Sequence, residues 1–109
     1  MEIRNLLEAA GWTVAGLSTS GEDAVHKVPE TRPDLVRMDI TLRGAKNGIE
    51  AAERILDARI IPVLFLTAAA DQSGIVRVQD RTVCGFVSKP FDQAALIGAI
   101  RSLLQSVRR

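Results

Sequence analysis

Apolar positions recur along the chain with two periods. Ile3, Leu6, Leu7 and Ala10 fall at i, i+3, i+4 and i+7, the stripe of a short amphipathic helix. Gly11 is placed to end that helix. The segment WTVAGLS, Trp12 to Ser18, reads as a strand. SGEDAVHKV reads as a short helix with Ser20 as its N-cap. Pro33 precedes DLVRMDI, Asp34 to Ile40, a second strand. Gly48 leads into IEAAERILDA, a helix with Glu50 and Arg54 at a favourable i,i+4 spacing. IPVLFL is a strongly apolar strand that ends at Thr67. DQSGIVRVQD is a weaker helix, capped by Asp71 and interrupted by Gly74. GFVS is a short strand. Asp92 then caps a long helix with Leu96, Ile97, Ile100, Leu103, Leu104 and Val107 on one stripe.

The order is therefore α-β-α-β-α-β-α-β-α, four strands and five helices. Strands alternating with helices predict βαβ units and a parallel sheet. The apolar strands alternate little, which suits a sheet covered on both faces. In such sheets ligands bind beyond the carboxyl ends of the strands. The chain has 109 residues, enough for one domain over 1–109. Its 47% apolar residues can build a core. A net charge of +1 gives no reason to expect nucleic acid or an anionic membrane as partner. Arg108 and Arg109 are read as solvated residues that favour the dipole of the last helix. The single Cys84 has no internal partner, so a reducing, cytoplasmic compartment is expected. No apolar run reaches the roughly 18 residues of a membrane span, and the start carries no signal-peptide pattern.

Three successive strands end in polar groups: Asp39, Thr67 and, just after GFVS, Lys89. The topology puts a carboxylate, a hydroxyl and an ammonium on one edge of the sheet. An ionised aspartate can attack phosphorus and form an acyl phosphate. A lysine can neutralise phosphoryl charge, and a threonine can donate a hydrogen bond to it. Singly, each is an ordinary strand-end residue; together they form a candidate site. Arg37 is harder to place. It shares a strand face with Leu35 and Asp39, and an unpaired Arg there would be costly to bury. It is expected either to pair with a carboxylate such as Asp39 or to reach water at a sheet edge.

The segments PDLVRMDI, LFLTA and GFVSKPF resemble three signature segments of the receiver domain of two-component response regulators, and NGIEAAERI resembles a fourth. The resemblance runs across essentially the whole chain. It implies a flavodoxin-like, doubly wound parallel sheet. It implies that Asp39 accepts a phosphoryl group from a histidine kinase or phosphotransfer protein. Thr67 would contact the phosphoryl oxygens, Lys89 would pair with the phosphate, and Phe86 would be the switch aromatic. The bond before Pro90 would be cis. No turnover as an enzyme is expected.

The chain departs from the family at its start. The family's first strand and the acidic pair after it, which help bind Mg²⁺, are absent, so the domain is expected to be N-terminally truncated. Asp39 and the backbone carbonyl of Thr41 remain as an incomplete metal set, so Mg²⁺ binding and phosphorylation are expected to be weak or absent. In the family's strand order, 2-1-3-4-5, the lost strand would lie between WTVAGLS and DLVRMDI. The two strands could close up, a neighbouring chain could supply a strand, or the chain could be a piece or a misassigned start of a longer protein; the last is favoured. The alternative to a phosphoacceptor is a pseudo-receiver that binds proteins or dimerises through its last helices or exposed strand edges. The glycines of TLRGAKNG lack the spacing of a phosphate-binding P-loop. His26 is read as a solvent-facing helical residue and Trp12 as core.

Overall fold

The computed structural model describes residues 3–17, 21–40, 45–68, 78 and 80–107. Helix α1, Ile3–Ala9, is followed by α2, Gly21–Thr31, and strand β1, Val36–Ile40. Then come α3, Ala45–Ala58; β2, Val63–Ala68; β3, Cys84–Lys89; and α4, Gln93–Val107. The strands form one parallel sheet in the order β1-β2-β3. Asp71 and Gly74 of the expected fourth helix lie outside the described residues, as does Ser20. Val78 of that segment is helical and buried.

The central strand shows why the apolar run VLFL forms sheet. Residues Val63 to Thr67 are all buried, so both pleat faces are covered. Val63 and Phe65 join Val36 and Met38 of β1 in one cluster with Ile49, Ile55 and Leu56 of α3 and Val28 of α2. Leu64 and Leu66 face the other way, against Leu96, Ile100 and Leu103 of α4, with Leu6 and Leu7 of α1 packed alongside. The stripe predicted for the last helix is thus the face that docks on the sheet. Gly85 lets α4 approach closely. A Cβ there would lie 3.3 Å from Leu103 Cδ1 and 3.4 Å from Leu64 Cδ1.

Helix ends follow local chemistry. Gly11 adopts φ 96°, with its N–H on the Glu8 carbonyl and the Trp12 N–H on the Leu7 carbonyl, a Schellman close to α1. Asp92 Oδ1 accepts the Ala95 N–H at 2.7 Å and caps α4. Helix α2 runs past Pro29, which sits in its last turns, and ends where Arg32 turns left-handed at φ 47°. The Arg32 N–H still closes on the Val28 carbonyl at 2.9 Å.

One expected element does not form. Trp12–Leu17 has no strand pairing and is mostly exposed, so three strands rather than four are present among the described residues. A strand needs a neighbour to accept its ladder, and local pattern cannot provide one. The two segments have not closed up: among the described residues β1 stands at the edge of the sheet and pairs with β2 alone. Trp12 is half-buried against the α4 cluster, with Arg101 5.6 Å from its ring centroid. Leu17 is held by its carbonyl, which accepts from Lys27 Nζ. His26 is exposed, and Glu50 and Arg54 form no ion pair with each other despite their spacing.

The left-handed backbone of Arg32 generates a prediction. An L-residue there is disfavoured by about 1–2 kcal/mol, offset in part by the extra freedom that glycine brings to the unfolded chain. Arg32→Gly is expected to stabilise the fold by up to about 1 kcal/mol. In urea titrations the midpoint should rise with an unchanged slope.

Candidate functional site

The register of the sheet sets the site. Asp39 pairs with Leu66, which pairs with Val87; one row on, Ile40 pairs with Thr67 and Ser88; Ala68 then pairs with Lys89. Residues opposite one another in a parallel ladder share a face. Asp39 and Lys89 therefore lie on the same face as Leu64 and Leu66, at the carboxyl edge, on the two strands that flank β2. Lys89 reaches across the end of β2, and its Nζ lies 2.5 Å from Asp39 Oδ1. Both side chains keep water access, Asp39 at 52% and Lys89 at 35% exposure. Among the described residues Oδ2 of Asp39 carries no partner.

Thr67 reaches the same edge on the opposite face, with Val63 and Phe65, and is fully buried. The trio read from the sequence thus splits: a solvent-accessible ion pair on one face and a buried hydroxyl on the other. Phe86 is opposite Phe65 in the ladder and so lies on the Thr67 face, but it is 45% exposed. The Lys89–Pro90 bond is cis. Thr41 lies outside the described residues.

Arg37 lies on the Asp39 face of β1 and is half-buried. Burial pulls its pKa below the usual guanidinium range, and the charge of Asp39 counters that pull. It is neither fully buried nor isolated, as expected of a long cation on an edge strand. This neighbour of the carboxylate was visible in the sequence from its two-residue spacing alone.

Among the described residues no three His, Cys, Asp or Glu side chains gather where they could hold a metal ion. A divalent ion usually keeps one or two carboxylates plus water and phosphate. Asp39 supplies one carboxylate, and Lys89 already neutralises it. Among the described residues Asp39 is thus the carboxylate that could hold Mg²⁺, already paired with Lys89 and without a cluster of further acidic ligands. Among the described residues, too, no helix is long and apolar enough to cross a membrane.

The sequence profile of the response regulator receiver domain matches residues 1–101. The transcriptional regulatory protein PdtaR of Mycobacterium tuberculosis is 32% identical over 108 residues, spanning 99% of this chain and 52% of that protein. The chain thus covers about half the length of this relative. The chemotaxis protein CheY of Thermotoga maritima is 31% identical over 106 residues, covering 94% of this chain and 86% of that one. Among solved structures, the signal receiver domain of a modulated diguanylate cyclase from Desulfovibrio desulfuricans superposes with a TM-score of 0.79 at 32% identity. That match covers 95% of this chain and 82% of the other.

The exposure of the Asp39–Lys89 pair predicts its energetic weight. Water-accessible ion pairs contribute about 0–1 kcal/mol. A double-mutant cycle with Asp39→Asn and Lys89→Met, read by urea unfolding, is expected to give a coupling below about 1 kcal/mol. A larger coupling would make the pair a structural strut.

Proposed function

The chain belongs to the response regulator receiver domains, and on that premise we propose that Asp39 is its phosphoacceptor and Lys89 its phosphoryl-binding cation. Receiver domains in general work with histidine kinases or phosphotransfer proteins. The single observation that carries the assignment is the Asp39–Lys89 pair, held 2.5 Å apart at the carboxyl edge of a parallel sheet and open to water. A free Asp39 oxygen attacks the phosphorus of a phosphohistidine. The P–O bond to the carboxylate forms as the P–N bond breaks, and the departing imidazole keeps the electron pair of that bond and takes up a proton from water. The Lys89 ammonium, already in place, passes to a phosphoryl oxygen and offsets the added charge. Thr67 would have to turn its hydroxyl from the buried face toward the new oxygens, and Phe86 would fill the space vacated on that face. The protein would serve as a cytoplasmic signalling module without enzymatic turnover of its own.

Transfer to this chain is proposed to be slow. Among the described residues Mg²⁺ would find the Asp39 carboxylate with no cluster of further acidic ligands, which supports weak binding. The same observation favours a second reading, a pseudo-receiver whose fold binds protein partners or a second copy without phosphorylation.

Intact-mass analysis after incubation with acetyl phosphate and Mg²⁺ separates the readings. Little or no phosphoryl adduct is expected on the chain itself, and none on Asp39→Asn. Adding an apolar strand and two aspartates ahead of Met1 should raise the adduct strongly, and Asp39→Asn should abolish it in that background. Robust phosphorylation of the unaltered chain overturns the claim of slow transfer. No adduct in either form leaves the pseudo-receiver reading standing.

A further inference from the structure

Away from the sheet's carboxyl edge, α2 and α3 enclose a groove of about 410 Å³. Val28 and Ile55, both buried members of the core, lie beneath it, and its accessible apolar surface includes Pro29 and Ala58, both exposed. Its rim carries Arg32, Arg54 and Arg59, and no carboxylate lines it. All three arginines are exposed. Among the described residues none of them makes an ion pair. Asp57, on the same helix, is engaged by Arg81 at 2.5 Å and so is directed to the segment before β3. The residue after Arg59, Ile60, is 77% exposed. On a chain of net charge +1 this is a local concentration of cations around an apolar floor.

A bland account covers part of this. Arg32 and Arg59 follow the last residues of α2 and α3, where a cation offsets the helix dipole. Arg54 lies within α3, and the dipole gives no reason for it to border the groove. Nor does the dipole explain why the floor between the three is open and apolar. Three separate guanidiniums complement several carboxylates rather than one, and each can take a carboxylate in a bidentate bond. An apolar floor between charged rims takes a side chain flanked by those carboxylates, and arginine is enriched where binding energy concentrates.

We propose that this groove binds an acidic peptide segment of a partner protein, one that places a leucine-sized or aromatic side chain on Pro29 and Ala58 between carboxylates paired with Arg32, Arg54 and Arg59. The surface is separate from the Asp39–Lys89 site and does not depend on its phosphorylation.

The probe is a synthetic peptide of about a dozen residues built from Glu, Leu and Ala, titrated into the ¹⁵N-labelled chain. Amide shifts are expected to concentrate in the last turns of α2 and α3. Affinity should fall at least about tenfold in Arg54→Gln, and also between about 50 and 300 mM salt. A peptide with Gln for Glu, and one with Ser for Leu, should bind at least about tenfold more weakly. Thermal unfolding of Arg54→Gln should match the parent. If that variant is unstable, the salt series and the two control peptides on the parent chain decide. Shifts located elsewhere, binding indifferent to both salt and Glu→Gln, or saturable binding of decanoate with none of the peptide each overturn the proposal.

Discussion

The structure depends on the double burial of β2. From Val63 to Thr67 this strand exposes essentially nothing, because alternate side chains enter two different cores. One core is closed by α2 and α3, the other by α1 and α4. Each buried Leu, Phe or Val is worth about 1.5–3 kcal/mol of transfer free energy. The strand is therefore fixed in face and register, since a slip of one residue would exchange the two cores. Fixing β2 fixes β1 and β3 on either side of it.

The position of the charged pair follows from that constraint. Asp39 and Lys89 are 50 residues apart in sequence. They meet because the ladder places both on one face at one edge, with β2 between them. Exposure makes their bond a small contribution to stability, and under the proposed function it leaves both groups open to a phosphoryl donor. The same register sends Thr67 to the opposite, buried face. A response to phosphorylation would thus have to pass through the plane of the sheet, from an exposed carboxylate to a buried hydroxyl and on to Phe86. Arg37 adds a second cation on the Asp39 face, half-buried, its pKa lowered by burial with the charge of Asp39 countering that pull.

What was legible in the sequence was what local chemistry and period determine. The stripe Leu96, Ile100, Leu103 names the docking face of α4, Gly11 closes α1 and Asp92 caps α4. The strand-end positions of Asp39 and Lys89 follow from the apolar runs before them. The strand read at Trp12–Ser18 failed, because its pairing needs a neighbour that its own residues cannot specify. The split of Thr67 from Asp39 was hidden in the register, which moves every side chain to the other face when shifted by one. The arginine groove was hidden for another reason. Arg32 follows α2, whereas Arg54 lies within α3 and Arg59 just after it, and only the packing of α2 on α3 brings the three to one rim.

The most direct measurement locates the acyl phosphate in the sequence. After exposure to a small-molecule phosphodonor, borohydride reduction converts a phosphorylated aspartate to homoserine, which peptide sequencing then places. The account predicts that whatever fraction is trapped carries homoserine at position 39, and that unfolding the chain beforehand removes the signal. Homoserine at Asp34, Asp57 or another aspartate, or equal trapping in the unfolded chain, would contradict it.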